Sequence, residues 1–512
     1  MGRSRMKLRA LAWCCLAGTL LACATTQAPP AAEPPAAPAA VDPRLLPPVF
    51  SPAPVATPAA REDNRTTERR RIVAAVWQTV RDRHYDPKLG GVDWDAVRAR
   101  YEPLAVGAPD DAAFFRTLNQ MVGELGQSHM LVSGPGADDD EPEPESDSAA
   151  SIAASGDRGT GGSPAGGGAV EPALGVPVIV SGTGDPGLVV RSIEGRAIVT
   201  AVRAGSSAQR RGVRPGFVVL RIGGRALSTI AHRGRALRPV EERFALRRLA
   251  MRRLQGPIGS RVTFDYLDNG DRPGQLVLDR DAPAGPARQI GHLPPLYPET
   301  RVAIVDGVGV LAFNLFLLDP TLGEIKRAMD KFRTLHVRGV ILDLRGNPGG
   351  IGAMSIPVAA EFVASPTTLG TIHFRTFTQT FTAQPSMGRT PFTGPLVILT
   401  DEGSASTSEI LAGGLQEAGR ARIIGEGTLG AVLPSVIEEL PGGAVMQVVV
   451  ADFQTPRGVL LEGRGVIPDQ QVAETRDAFR AGQDPILSAA LASIRSGITR
   501  NHEGPRATRP KR

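Results

Sequence analysis

The chain has 512 residues, too many for one ordinary hydrophobic core, and this length predicts two to four domains. Its formal net charge is +6, but no basic stretch is interleaved with aromatic residues, which argues against nucleic-acid binding. Aromatic residues are scarce at 4%, while glycine and proline are plentiful, so we expect a mixed protein with long irregular segments.

The first 23 residues have the pattern of a bacterial lipoprotein signal peptide. A basic start precedes the apolar run Leu11–Leu21, which is too short to span a membrane comfortably. Leu20-Leu21-Ala22-Cys23 has the form of a lipoprotein cleavage box, so we expect Cys23 to carry a lipid; an ordinary cleaved signal peptide is the alternative. The lipid would hold the protein in the cell envelope. Because Asp does not follow Cys23, the usual Gram-negative sorting rule favours the outer membrane, with the protein facing the periplasm.

Composition divides the rest of the chain into six segments. In order, they are an Ala/Pro-rich tether (24–60), an N-terminal helical domain (61–133), an acidic and then Gly-rich insertion expected to be disordered (134–170), a sheet-rich domain (171–281), an α/β core (285–497) and a basic tail (498–512). All three cysteines lie in the signal peptide, so no disulfide is expected within the mature chain.

The sheet-rich domain contains a strand, a Gly-Ser-Ser turn, a short helix, a Pro-Gly turn and another strand over Val199–Leu227. This order resembles a PDZ domain, a module that captures an extended chain terminus by adding it to a sheet as a strand. Phe217 departs from the usual pattern, in which an Asp follows the Pro-Gly pair. The arginine-rich segment Arg233–Arg253 is interpreted as a solvated helix face first, and as a contact to an anionic surface second.

The α/β core alternates short apolar strands with helical patterns, which predicts a layered fold with largely parallel strands. The expected strands are Val308–Phe313, Gly339–Leu344, Leu396–Thr400, Ala421–Gly425 and Ala444–Ala451. The expected helices are Pro320–Leu335, Met354–Ala364, Ser406–Ala418 and Pro485–Ser496.

Three serines, Ser404, Ser406 and Ser408, stand at the junction of a buried strand and the third of these helices. This position places hydroxyl groups beside the free N–H groups of a helix N-terminus, where a serine can be activated and an oxyanion can be held. A helix N-cap is the alternative, because Glu409 follows closely.

Three further motifs accompany the serine cluster. In GVILDLRGNPGG, a buried strand leads into a turn that ends at Gly349-Gly350, where backbone can approach a ligand closely. ELGQSHM places Ser128-His129 at the end of the helical domain, and GVLLEGRGVIPD places Glu462 between a strand and a Gly-rich turn. A tight turn and a structural histidine are the alternatives for the first two motifs.

Taken together, these motifs resemble the C-terminal processing (tail-specific) peptidases, and the resemblance runs from about Glu68 to Asp469. It implies an α/β fold: a crotonase-like layered core with an N-terminal helical domain and an inserted PDZ-like domain. It also implies that Ser406 is the nucleophile and that the oxyanion is held by the N–H of Thr407 and of Gly349 or Gly350.

One position departs from the family pattern. Bacterial and plastid members use a lysine as the base, but Ala431 stands at the matching place in Thr428–Val432. The tricorn-like branch of the family instead takes its base from a Ser-His pair, which a Glu orients. The resemblance therefore implies His129 as base, Glu462 as the group that orients it, and Ser128 as an assisting hydroxyl.

The expected function is a cell-envelope serine endopeptidase that acts on protein or peptide substrates recruited by the PDZ-like domain. A homo-oligomer is possible, and the sequence does not decide the oligomeric state. No metal or other cofactor is expected, because the chain has no cluster of ligands at metal-binding spacing. The alternatives are a catalytically inactive peptide or apolar-ligand binding protein, as in the related retinoid-binding proteins, and an envelope scaffold.

Overall fold

A computed structural model describes residues 58–135, 183–227, 237–283, 285–288, 296–386 and 388–497. The signal peptide with Cys23, most of the tether, nearly all of the 134–170 insertion and the basic tail lie outside these residues. None of the helices in the described ranges combines the length and the apolarity needed to cross a bilayer.

The N-terminal region begins with three helices and ends with a short strand. These are α1 (Pro58–Arg83), α2 (Trp94–Val106), α3 (Asp111–Gly123) and β1 (Leu131–Ser133). Asp93 caps α2 by accepting a hydrogen bond from the N–H of Ala96, and Asp110 caps α3 by accepting one from Ala113. The apolar residues at helical spacing are buried between the helices, as their periodicity predicts.

A smaller domain follows, built from an antiparallel sheet and two helices. Its elements are β2 (Thr183–Gly184), β3 (Leu188–Ile193), β4 (Arg196–Val202), α4 (Ser207–Arg210), β5 (Val218–Ile222), β6 (Arg225–Ala226), α5 (Pro239–Leu254), β7 (Gly256–Pro257), β8 (Arg261–Leu267) and β9 (Pro273–Asp279). The main strand order is β3-β4-β5-β8-β9, so β3 lies at an edge. Phe217, where the sequence departs from the PDZ pattern, is buried and stacks on Tyr266 with ring centroids 4.9 Å apart.

The α/β core has a mostly parallel six-stranded sheet of order β10-β11-β12-β15-β16-β20, as the alternating pattern predicts. Its strands and those of its neighbours are β10 (Thr300–Val305), β11 (Val308–Phe313), β12 (Val340–Asp343), β13 (Thr367–Phe374), β14 (Thr378–Ala383), β15 (Leu396–Thr400), β16 (Arg422–Gly425), β17 (Ser435–Glu439), β18 (Val445–Val449), β19 (Ala451–Gln454) and β20 (Gln470–Gln471). Its helices are α6 (Gly323–Thr334), α7 (Ser355–Ala360), α8 (Thr407–Glu417), α9 (Arg476–Arg480) and α10 (Pro485–Arg495).

Both faces of the six-stranded sheet are covered. One face packs against α6, α7, α8 and the separate sheet β14-β13-β19, and the other packs against α10. This burial explains why β12 and β15 read as continuous apolar runs rather than as alternating patterns.

One hairpin within the segment expected to form the α/β core packs against the N-terminal helices instead. Strands β17 and β18 pair with each other, and β18 pairs with β1, with Leu131 opposite Gln447. Side chains of this hairpin, including Met446 and Val448, join the hydrophobic core of the N-terminal helices. The N-terminal region and the α/β core are therefore tied together by a shared sheet directly after His129.

Candidate active site

Two turns of the α/β core meet because they follow neighbouring parallel strands. β12 leads into residues 344–350, here called the glycine turn, and β15 leads into residues 401–406, the serine turn. The strands pair in parallel with Asp343 opposite Leu399, so both turns leave the same edge of the sheet. This is the edge where ligand sites form in open α/β sheets.

Side-chain hydrogen bonds fasten the two turns to each other. Ser404 Oγ donates to the carbonyl of Leu344 at 2.8 Å, and Ser408 Oγ donates to the carbonyl of Asn347 at 2.9 Å. Asp401 Oδ1 accepts the N–H of Gly346 at 2.7 Å. Two of the three serines in the cluster are therefore engaged in holding the glycine turn.

The third serine is the accessible one. Ser406 is partly exposed, whereas every other residue from Asp401 to Leu415 is buried. Its backbone has φ +53° and ψ −117°, a conformation that is costly for a residue with a side chain and that is concentrated at functional sites. α8 begins at the next residue, Thr407.

Glycine is required where the two turns touch. A Cβ on Gly349 would lie 2.7 Å from Ser406 Cβ, and its φ is +101°. The N–H of Gly349 donates to Asn347 Oδ1 at 2.9 Å, so this amide is already used within its own turn. Gly349 therefore permits the close approach of the turns. Its N–H is already hydrogen-bonded, unlike the N–H of Gly350 that follows it.

Two amide groups beside Ser406 remain available. Within the described residues, the N–H groups of Gly350 and Thr407 donate no hydrogen bond. They are neighbours, because Thr407 Oγ1 donates to the carbonyl of Gly350 at 3.0 Å and Thr407 N lies beside Gly349. Thr407 is the first residue of the buried helix α8, and unpaired amides at and beside such a helix start suit negative charge.

The remaining expected residues form a hydrogen-bonded chain. Ser128 Oγ lies 2.7 Å from His129 Nδ1 and donates to Glu462 Oε2 at 3.0 Å. Glu462 Oε1 also accepts the backbone N–H of Ser128 at 2.9 Å. Glu462 therefore contacts Ser128, and Ser128 contacts His129, which differs from a carboxylate bound directly to the imidazole.

A single peptide unit links this chain to Ser406. Its carbonyl, from Ala431, accepts the N–H of Ser406 at 2.8 Å. Its N–H, from Val432, donates to Glu462 Oε2 at 2.9 Å. Ser406 and Glu462 thus bind opposite sides of one rigid, planar group. The segment that contains it, residues 428–432, is called the Ala431 turn below.

Burial sets the protonation of the histidine. His129 is buried, and this desolvation lowers its pKa from 6.5 to about 4, so the imidazole is neutral at physiological pH. Desolvation also raises the pKa of Glu462, while the N–H groups of Val432 and Ser128 act in the opposite direction.

Ala431 is the residue at which the sequence departs from the expected family pattern. Its methyl group is buried in a small apolar cluster with Phe244, Ala405 and Leu429. Phe244 belongs to α5, so the smaller domain closes over this place. The side chain of Ala431 is therefore surrounded by apolar side chains.

Arginines of the smaller domain reach the serine turn from the other side. Arg191 pairs with Glu402 at 2.7 Å and Glu474 at 2.5 Å, and Arg247 pairs with Asp401 at 3.0 Å. These side chains are largely buried. Arg247 lies on α5, within the arginine-rich segment, so the interpretation of that segment as a solvated face was wrong there.

Among the described residues, no group of three or more His, Cys, Asp or Glu side chains is arranged to hold a metal ion.

Solved structures share this fold. Mature CPAF complexed with lactacystin matches with a TM-score of 0.55 and 13% identity, over 85% of this chain and 98% of that chain. The structure of the cpaf s499a mutant matches with a TM-score of 0.55 and 13% identity, over 86% and 99% of the two chains. At this identity the likeness defines the fold class, a mixed α/β architecture shared over nearly the whole of those proteins.

Two segments of the sequence match family models. Residues 307–472 match the model of peptidase family S41, and residues 65–123 match that of the tricorn protease C1 domain. The resemblance that the motifs indicated is therefore confirmed over these two segments, which together make up less than half of the chain.

Curated relatives agree with this assignment. The carboxyl-terminal-processing protease of Synechocystis sp. is 29% identical over 60% of this chain and 66% of its own length. The protein of the same name from Picosynechococcus sp. is 31% identical over 48% of this chain and 54% of its own length. Carboxyl-terminal-processing peptidase 3, chloroplastic, of Arabidopsis thaliana is 28% identical over 54% of this chain and 50% of its own length. The chain thus spans between half and two-thirds of these relatives.

Proposed function

We propose that this protein is a serine endopeptidase that cleaves peptide bonds through an acyl-enzyme at Ser406. The observation that carries the proposal is the chain from Glu462 through Ser128 to His129, linked to Ser406 by the peptide unit of Ala431 and Val432. The relatives named carboxyl-terminal-processing proteases support the same reaction class.

The hydrogen-bonded chain supports Nε2 as the nitrogen of His129 that would act as the base. The Ser128 hydroxyl has one proton, and it donates that proton to the ionised Glu462. Ser128 Oγ must then accept from Nδ1–H of His129, so Nε2 carries the free lone pair. Protonation of Glu462 would reverse both hydrogen bonds and place the proton on Nε2, which could no longer act as a base.

The reaction then proceeds in two halves. Ser406 Oγ attacks the scissile carbonyl carbon while its proton passes to Nε2 of His129, and the carbonyl oxygen becomes an oxyanion that accepts from the N–H groups of Gly350 and Thr407. The C–N bond breaks as His129 returns the proton to the leaving amine. A water molecule then attacks the acyl carbon while the same nitrogen takes its proton, and the ester C–O bond breaks as His129 returns that proton to Ser406 Oγ.

The smaller domain is proposed to recruit the substrate. Its strand β3 is at the edge of the sheet, beside helix α5, which is the arrangement that can accept an extended chain as an added strand. Since β3 also carries Arg191, which binds the serine turn, a captured chain would lie close to the cleavage machinery. We further propose that Cys23 anchors the protein to the cell envelope and that envelope proteins are its substrates.

Peptide cleavage by the purified protein tests the proposal. Wild type should release fragments from unstructured protein substrates, and Ser406→Ala and His129→Ala should lose turnover while keeping the wild-type circular dichroism spectrum. The matched control Ser133→Ala, at the end of β1, should retain activity. Saturable peptide binding by the wild type with no cleavage would instead favour the binding protein of the same fold.

A further inference from the structure

Glu409 is a fully buried carboxylate in the first turn of α8, three residues after Ser406. It accepts four hydrogen bonds, which is close to its full capacity. Oε1 accepts from Thr428 Oγ1 at 2.5 Å and from the N–H of Gly430 at 2.8 Å. Oε2 accepts from the N–H of Ala431 at 3.0 Å and from the N–H of Ser406 at 3.0 Å.

None of these four partners carries a charge. Burying a carboxylate is costly when neutral dipoles alone compensate it, and desolvation accordingly raises the pKa of Glu409 to about 7. The four donors lower that pKa, so each of them favours the ionised form. A leucine or methionine at this site would avoid the cost of burial, but it would leave the four donors without an acceptor.

The partners of Glu409 belong to two segments, the serine turn and the Ala431 turn. One is the N–H of Ser406, whose backbone is held in the unusual conformation described above. The other three belong to the Ala431 turn, which accepts from Ser406 and donates to Glu462. Glu409 is thus attached both to the serine and to the main chain that holds the Glu462–Ser128–His129 chain.

We propose that Glu409 is a positioning residue, which fixes the Ala431 turn against Ser406 so that the backbone of the turn aligns the serine with the Glu462–Ser128–His129 chain. The Ala431 turn supplies main-chain hydrogen bonds to Ser406 and to Glu462, and Glu409 holds that main chain in place. This inference rests on the proposed function for its catalytic consequence, but the structural link can be measured independently.

The test compares Glu409→Gln with Glu417→Gln in the full chain. A glutamine has one acceptor oxygen, so its NH2 group must face two of the four donors. Glu417 is the control because it ends the same helix and also accepts two hydrogen bonds, from Thr455 Oγ1 at 2.7 Å and from the N–H of Arg457 at 2.9 Å. Amide hydrogen exchange of segments 404–410 and 428–433 reports the link directly, and fluorophosphonate labelling of Ser406 and steady-state cleavage report its consequence.

In Glu409→Gln, exchange in these two segments should rise about tenfold or more, and the labelling rate and kcat should fall about 100-fold. KM should stay within about threefold, because the substrate contacts are not altered. Glu417→Gln should leave all of these quantities near wild type. Wild-type exchange and labelling in Glu409→Gln would overturn the inference.

If Glu409→Gln fails to fold, Thr428→Val removes one donor with little change of shape, and an unchanged labelling rate and unchanged exchange in that variant would overturn the inference. If the wild type is never labelled and never cleaves peptides, the proposed function fails. The exchange measurement still decides whether Glu409 holds the Ala431 turn against Ser406.

Discussion

The hydroxyl of Ser128 lies 2.7 Å from Nδ1 of His129 and at the same time donates to the Glu462 carboxylate at 3.0 Å. A residue expected to assist is therefore the connection between the acid and the imidazole. The tautomer of His129 depends on this hydroxyl, because its single proton can point in one direction at a time.

Replacing Ser128 with alanine should consequently cost about as much activity as replacing Glu462. We expect each of Ser128→Ala and Glu462→Ala to lower kcat about 10- to 1,000-fold, and the double variant to be little worse than either, since both remove the same connection. The kcat values of the four proteins, measured with one peptide substrate, form a double-mutant cycle. If the loss of kcat in the double variant equals the product of the two single losses, Ser128 and Glu462 do not act through a shared connection.

Gly349→Ala should disable the site through sterics. The new Cβ would meet Ser406 Cβ at 2.7 Å and the backbone would be strained at φ +101°, so the serine turn must move. We expect the fluorophosphonate labelling rate to fall about 100-fold, together with a loss of about 1–3 kcal/mol in the free energy of unfolding.

Gly352→Ala is the matched control a few residues downstream. The nearest atom to its Cβ is in Phe381 at 3.8 Å, which is ordinary van der Waals contact. This variant should label at the wild-type rate. A normal rate in Gly349→Ala would show that the turns have more room than their contact suggests.

Stability should depend on pH through His129. Because burial lowers its pKa from 6.5 to about 4, the unfolded chain binds a proton between these values that the folded protein does not. Stability is therefore lost as the pH falls from 6.5 towards 4, by about 3 kcal/mol in total. His129→Gln lacks this titration, so the difference in unfolding free energy between the two proteins should shrink by about this amount as the medium is acidified, as measured by urea unfolding. A constant difference would mean that His129 is hydrated in the folded state.

Arg191 should matter for stability more than exposed arginines do. Its guanidinium is buried against Glu402, Glu426 and Glu474, and its removal takes away the arginine paired with Glu474 and one of the two arginines paired with each of Glu402 and Glu426. We expect Arg191→Met to destabilise the protein by about 3–5 kcal/mol. Arg261→Met is the control, because that side chain is 72% exposed in its pair with Asp279 and should contribute less than about 1 kcal/mol. Equal effects of the two substitutions in urea unfolding would contradict a buried clamp between the smaller domain and the serine turn.

Local patterns predicted much of the α/β core and of the serine side of the site. β12 and β15 are buried on both faces, so their apolar runs were visible, and the polar turns after them had to meet at one edge of a parallel sheet. The serine cluster and the Gly349-Gly350 pair were visible in this way, but the choice of Ser406 among the three serines came from the resemblance to a family. Gly349 proved to differ from Gly350, because whether an amide is already bonded depends on a side chain, Asn347, rather than on the pattern.

The base side of the site could not be derived in that way. Ser128 and Glu462 are 334 positions apart in the chain, and no periodicity relates them, so their expected roles came from resemblance to a family. The β13–β14 hairpin was not predicted, although every second residue of β14 from Thr378 to Thr382 is threonine. The docking of β17–β18 on the N-terminal helices was not predicted either. Arg247 was placed on a solvated face because its acidic partners come from a different domain.

Active-site labelling mapped by mass spectrometry tests the catalytic role of Ser406 most directly. Incubation of the intact protein with a fluorophosphonate should modify one serine, Ser406, and His129→Ala should abolish the modification while its circular dichroism spectrum stays that of the wild type. Folded wild-type protein that stays unmodified at Ser406, under conditions in which a control serine hydrolase reacts fully, would contradict the proposed catalytic role.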